Sequence, residues 1–186
     1  NCIFENNTSN NGAAIAASSG AGPTISYCEF TNNTATNAGG GIHTTSGAHP
    51  DLSDCVFTGN TATWGGGGLY AYGPSSPTFT NCLFNNNGSD HWGGAFHTQV
   101  AGADVEFISC TFYGNHAPDG GVGYCRGDSH AELNNSILSH SSQGEAIYCS
   151  SGGTATLACC NVCGNAGGDW VSGISGQGGS SGNLNI

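Results

Sequence analysis

Apolar residues in this chain recur in short alternating runs, not at helical spacing. Cys28-Glu29-Phe30, Cys55-Val56-Phe57 and Ile42-His43-Thr44 each place a polar or outward residue between two inward ones, the two-residue period of a strand with one buried face. Further apolar residues stand three positions before each member of a cysteine column: Ile25, Leu52, Phe79, Phe107, Leu133 and Leu157. They mark an additional strand in every unit. Helical solenoids need Ala, Leu, Glu and Lys at a 3.6-residue period, and that composition is missing.

The runs belong to two linked motifs that repeat along the whole chain. One is Cys-x-aromatic-x-x-Asn, at Cys2/Phe4/Asn7, Cys28/Phe30/Asn33, Cys55/Phe57/Asn60, Cys82/Phe84/Asn87 and Cys110/Phe112/Asn115, with variants Ser136/Leu138/Ser141 and Cys160/Val162/Asn165. The other is a Gly-rich turn leading into an apolar residue, as in Gly39-Gly40-Gly41-Ile42, Gly66-Gly67-Gly68-Leu69 and Gly93-Gly94-Ala95-Phe96. Steps of 26, 27, 27, 28, 26 and 24 along the cysteine column set a period near 27. A fixed period of this length is the mark of a repeat architecture. Three strands per period predict one coil of a parallel β-helix. About seven coils at ~4.8 Å make a rod roughly 30–35 Å long. The columns then have structural tasks. Asn7, Asn33, Asn60, Asn87, Asn115 and Asn165 form an inward amide ladder at a corner, where Asn tolerates a left-handed backbone. The cysteine column fills a narrow interior.

Charge narrows the possible partners. One Lys or Arg against 12 Asp and Glu leaves a formal net charge of −11. Phosphate neutralisation needs several cations, so nucleic acid is excluded as a partner, and so is a cationic membrane-binding face. No apolar run approaches the ~20 residues of a spanning helix. The reading is a single β-helix domain over 1–186.

The paired Gly-Gly-Ala/Gly-Ile and Phe-x-x-Asn patterns resemble the repeats of chlamydial polymorphic outer-membrane proteins. They are still more similar to right-handed β-helix repeats in secreted or surface proteins of environmental bacteria. The stretch from Cys160 to Trp170 resembles a segment near the carboxyl end of many such proteins. That resemblance implies a right-handed β-helix (β-solenoid), export, an extracellular or cell-surface bacterial location, and a place within a longer chain. Its repeats are scaffold motifs, so the implied role is structural or adhesive. Neither Asn1-Cys2-Ile3-Phe4 nor Asn183-Leu184-Asn185-Ile186 offers an evident polar cap, which a solenoid end requires. A longer chain or end-to-end self-association are the two expectations.

Ten cysteines lie mostly one per coil in a single column, where parallel Cβ vectors make bridges strained. Cys125 and Cys149, each after a tyrosine in successive coils, are the better disulfide candidates. Cys159, Cys160 and Cys163 lack the second Cys/His pair of a zinc site, and no metal or other cofactor is expected. A polysaccharide lyase would need a basic side chain, and only Arg126 is present. A hydrolase would need two carboxylates on one sheet; the acids map mostly to loops, with Asp90 and Asp119 the nearest approach to a pair. No catalytic residue is assigned. The residues after the apolar anchors, His43, Tyr70, His97, Tyr124 and Tyr148, are expected to point outward as a flat ring ladder, with Trp64, His91 and Trp92 beside it at the turn. Such rings either stack on one another to hold the sheet or stack on the sugar rings of an extracellular glycan. His43 and His97, two coils apart, are too far from each other to share an ion.

Overall fold

A computed structural model describes residues 1–184; Asn185 and Ile186 of the expected C-terminal edge lie outside the described residues. Every sheet pairing is parallel, each strand bonding its counterpart one repeat away. The chain is a β-solenoid of six turns, and a seventh strand of the phenylalanine sheet, Asn161–Cys163, starts beyond them. The expectation of about seven coils thus counts one partial turn.

The first four turns contribute to four sheets, not three, and the later turns to three. The phenylalanine sheet holds Ile3–Glu5 and its six successors. The aromatic sheet runs from Ile15–Ala17 to Ile147–Ser150, and the acidic sheet from Thr24–Ser26 to Thr154–Ala158. The fourth, at the corner after the ladder asparagine, is short: Thr8–Asn11, Thr34–Ala38, Thr61–Ala62 and Gly88–Ser89. Its sign in the sequence was the alternation Thr34-Ala35-Thr36 and Thr61-Ala62-Thr63, in which Ala35 and Ala62 are buried.

Like residues stack inside. Phe4, Phe30, Phe57, Phe84 and Phe112 lie ring on ring at centroid spacings of 4.9, 4.4, 4.6 and 5.0 Å, offset-stacked pairs that add to the burial of their area. Where the rows change residue they change in complement. The Phe96 ring fills the space over Gly123, and a Cβ at Gly123 would run into it.

The asparagine ladder is present, with one correction. The left-handed residue at this corner is the one before each ladder asparagine: Asn6, Asn32, Gly59, Asn86 and Gly114 all have φ between 52° and 65°. The ladder residue supplies its amide instead. Asn87 Oδ1 accepts from both the backbone N–H and the Nδ2 of Asn60 (3.0 and 2.9 Å), while Asn87 Nδ2 donates to the Phe57 carbonyl and to Asn115 Oδ1. Fully buried polar groups are thereby satisfied coil by coil. At the far end Asp169 takes the part of the next asparagine, accepting from the N–H and the Nδ2 of Asn165, each at 2.8 Å.

The cysteine column also has hydrogen-bonding work. Cys28, Cys55, Cys82, Cys110 and Cys160 each donate Sγ–H to the carbonyl two residues earlier, at 3.2–3.5 Å. Ser136 makes the same bond at 2.9 Å, which explains why serine can stand in that column. All ten cysteines are free thiols. Cys125 and Cys149 are in-register neighbours, but the disulfide expected between them is not formed. Interaction between the two neighbouring thiols raises the Cys125 pKa, with burial adding to it, and lowers that of Cys149.

A cap covers the C-terminal edge, against expectation. Ser172–Ile174 forms a short 3-10 turn whose Ile174 is buried, and Trp170 packs on the core beside it. Gln177 behaves as a piece of strand: its Oε1 accepts from Leu157 N–H and its Nε2 donates to the Ala155 carbonyl, both at 2.9 Å. Asn183 does the same for Cys160 N–H and the Leu157 carbonyl. These side-chain amides pair with backbone groups of the last full coil as a further strand would.

Candidate functional site

The outward residues of the aromatic sheet are in one row, as expected: His43, Tyr70, His97, Tyr124 and Tyr148 are successive Cα partners. They do not form a flat exposed ladder. His43 and Tyr70 stack at 5.3 Å and 20°, and Tyr124 and Tyr148 at 5.4 Å and 11°. Between these pairs His97 stands edge-on, at 70° to Tyr70 and 79° to Tyr124. His97 is 1% exposed and Tyr124 4%. The cause is Trp92, whose ring reaches over the sheet to 5.9 Å from both. The row is partly roofed, which only the packing of the corner decides.

That corner also creates a cavity. Ala38, Gly65, Trp92 and Asp119 succeed one another across neighbouring coils. Ala38 carries only a methyl group where Trp92 carries an indole two coils later, and the space over Gly65 between them is taken by the His97 ring. The resulting slot, about 190 Å³, is lined by Asn37, Ala38, Trp64, Tyr70, Trp92, His97 and Gln99. Trp64 is 48% exposed and lies 5.8 Å from Trp92, tilted by 36°. His91 stacks on Trp64 at 4.5 Å but does not line the slot, and neither do His43, Tyr124 or Tyr148. Four of the eight expected ring residues are therefore brought together: Trp64, Tyr70, Trp92 and His97.

Polar groups at the slot are few and placed. Tyr70 donates its hydroxyl hydrogen to Gln99 Oε1 at 2.8 Å. Burial raises the Tyr70 pKa to about 12, with Tyr72 adding to it and the Arg126 charge opposing. Both ring nitrogens of His97 are buried without a hydrogen-bond partner among the described residues. Burial, assisted by the Arg126 charge, pushes the His97 pKa down to about 3, so the imidazole is neutral at physiological pH. Arg126 is in register with Gln99 on the next coil, and its guanidinium sits 5.6 Å from the centre of the Trp92 ring. Sequence reading missed Asn37, Gln99 and Arg126 as neighbours of the rings. Gln99 and Arg126 were detectable, since each lies two residues beyond a ring of the row and so on the same sheet face.

The acidic sheet holds a second group. Glu106 and Glu132 are in-register neighbours on the outside of the acidic sheet, and Asp51 belongs to the same row, two coils from Glu106. Asp119 is in register with Trp92 and not with Asp90, whereas Glu106 and Glu132 are paired on a sheet. His130 is held by Thr154 and Thr156 hydroxyls at 2.8 and 3.3 Å. Among the described residues no cluster of three His, Cys, Asp or Glu side chains is arranged to hold a metal ion, and no helix is long and apolar enough to cross a membrane.

Comparison with known proteins places the fold and not the activity. No curated protein and no solved structure matches the chain. A family model described as a right-handed β-helix region matches residues 1–135, most of the coils described above. The parallel pairing, the near-27-residue register and that match agree, and the chain belongs to the right-handed β-helix family.

Proposed function

We propose that this protein is a non-catalytic extracellular module, structural or adhesive, that contacts a glycan through the slot at the edge of its aromatic sheet. The observation that carries the reading is the slot itself: Trp64, Tyr70 and Trp92 around about 190 Å³, with a buried imidazole and the Gln99 amide at its walls. A dry cavity of about 150 Å³ accommodates a six-membered carbon ring, so one sugar unit is the matching size. Aromatic faces bind the C–H side of a sugar while a few fixed polar groups orient its hydroxyls. A neutral imidazole offers one donor and one acceptor, which is what a pair of hydroxyls requires. Extracellular or bacterial surface display rests on the resemblance of the repeats and on an acidic chain of net charge −11.

A polysaccharide hydrolase is the second reading, favoured by one observation. Glu106 and Glu132 stand one strand apart, and retaining glycosidases use carboxyl groups about 5–5.5 Å from each other. One experiment separates the two. Trp64→Ala should abolish retention on immobilised polysaccharides and shift thermal unfolding by no more than about 1 kcal/mol, since the side chain is half exposed. Release of reducing ends by the unaltered protein, lost in Glu132→Gln, would move the function to the acidic sheet. Unchanged retention by the Trp64 variant would sink the slot.

A further inference from the structure

The single basic side chain of the molecule is Arg126, in a chain with 12 carboxylates. Surface arginines in so acidic a chain usually find a carboxylate. Among the described residues this one forms no salt bridge, and its guanidinium lies over Trp92, the wall of the slot. Gln99, in register with it one coil away, lines that slot. A second, independent feature points to an absent ligand at the same place: His97, 1% exposed and lining the cavity, has two unsatisfied ring nitrogens. Leaving such groups unpaired is unfavourable, a cost that a polar ligand would remove.

Resting on the glycan reading above, we infer that the slot selects an anionic sugar unit, with the ring held among Trp64, Tyr70 and Trp92 and its acid group received by Arg126. A guanidinium binds a carboxylate through two parallel N–H bonds, and charge-assisted bonds are about twice as strong as neutral ones. Its position on the face of Trp92 holds the fork in place by a cation–π contact. The rest of the surface is acidic and repels a dense polyanion at long range, so the favoured ligand carries its charge sparsely, one acid unit among neutral neighbours. No bond is made or broken in this step.

Calorimetric titration of the whole chain tests it, using an oligosaccharide with one glucuronic acid residue and its counterpart with glucose at that position. The acidic probe should bind at least about tenfold more tightly at low salt, and the preference should shrink at high salt as the charges are screened. Arg126→Gln should remove the preference for the acidic probe, whereas Arg126→Lys should retain part of it. Equal binding of the two probes by the unaltered protein would overturn the anionic selectivity while leaving glycan binding intact. Binding of neither would overturn both. A preference that survives Arg126→Gln would assign it to another group, and the Lys variant guards against a loss caused by misfolding alone.

Discussion

The inside and the outside of the same strands obey different rules. Inward, the main rows keep one residue type over several coils, and each member satisfies its neighbour: asparagine on asparagine, phenylalanine on phenylalanine, thiol to carbonyl. Outward, on the aromatic sheet, the row runs His, Tyr, His, Tyr, Tyr, and the corner beside it runs Ala, Gly, Trp, Asp. Regularity produces a closed ladder with nothing left over. Irregularity produces a slot, a tilted pair of tryptophans and an imidazole without partners. The contrast teaches that in a solenoid the repeat maintains the rod, and the breaks in the repeat are where binding can reside.

The strongest way to break this contrast is to remove one rung of the inner ladder. Asn87→Ala strands the Asn60 N–H and takes one bond each from the Asn60 amide, the Phe57 carbonyl and the Asn115 oxygen, the last of which keeps the Asn87 N–H. With a buried N–H left unpaired and three further buried bonds lost, it should cost about 3–5 kcal/mol in urea unfolding. A loss below about 1 kcal/mol would mean that water or backbone shifts replace the amide.

A smaller effect sharpens the outer side. His97 titrates near 6.5 in the unfolded chain and near 3 when folded. Between those values the unfolded state binds the extra proton, so stability is present above pH 6.5 and declines as pH falls, by up to about 1.4 kcal/mol per unit. His43, lowered by burial, adds in the same direction. His97→Phe should flatten the slope of unfolding free energy between pH 6 and pH 4, and an unaltered slope would show that other groups set the acid limit.

The smallest effect concerns the turn beside Gln99. Val100 has a φ of 66°, a left-handed conformation that a β-branched residue adopts at a cost. The equivalent positions one coil away on either side are Gly73 and Gly127. Val100→Gly should raise stability by about 1 kcal/mol in thermal melts, with any cost falling on sugar affinity through a looser Gln99. Destabilisation instead would show that Val100 is held by packing that outweighs its backbone strain.

Parts of this were legible before any coordinates. Parallel coils, the inward asparagines and the outward ring row follow from spacing, because a two-residue strand period and a fixed repeat determine which side chains face in and which stack. The fourth sheet escaped because its strands are two to five residues long and their signal, an alternating Thr-Ala-Thr, is weak. The cap escaped as well. Asp169, Gln177 and Asn183 imitate missing coils with side-chain amides and a carboxylate, and that imitation has no period to read.

What the order of residues determined by itself was the winding, since rows of like side chains form wherever equal spacing meets parallel pairing. Only the folded chain decided which rings stay open and which are roofed. The His97 ring occupies the space that a side chain at Gly65 would fill, Trp92 packs against it, and the Arg126 guanidinium reaches the Trp92 ring from the next coil. Such proximity depends on side-chain volumes across coils 27 residues apart, and no local pattern encodes it.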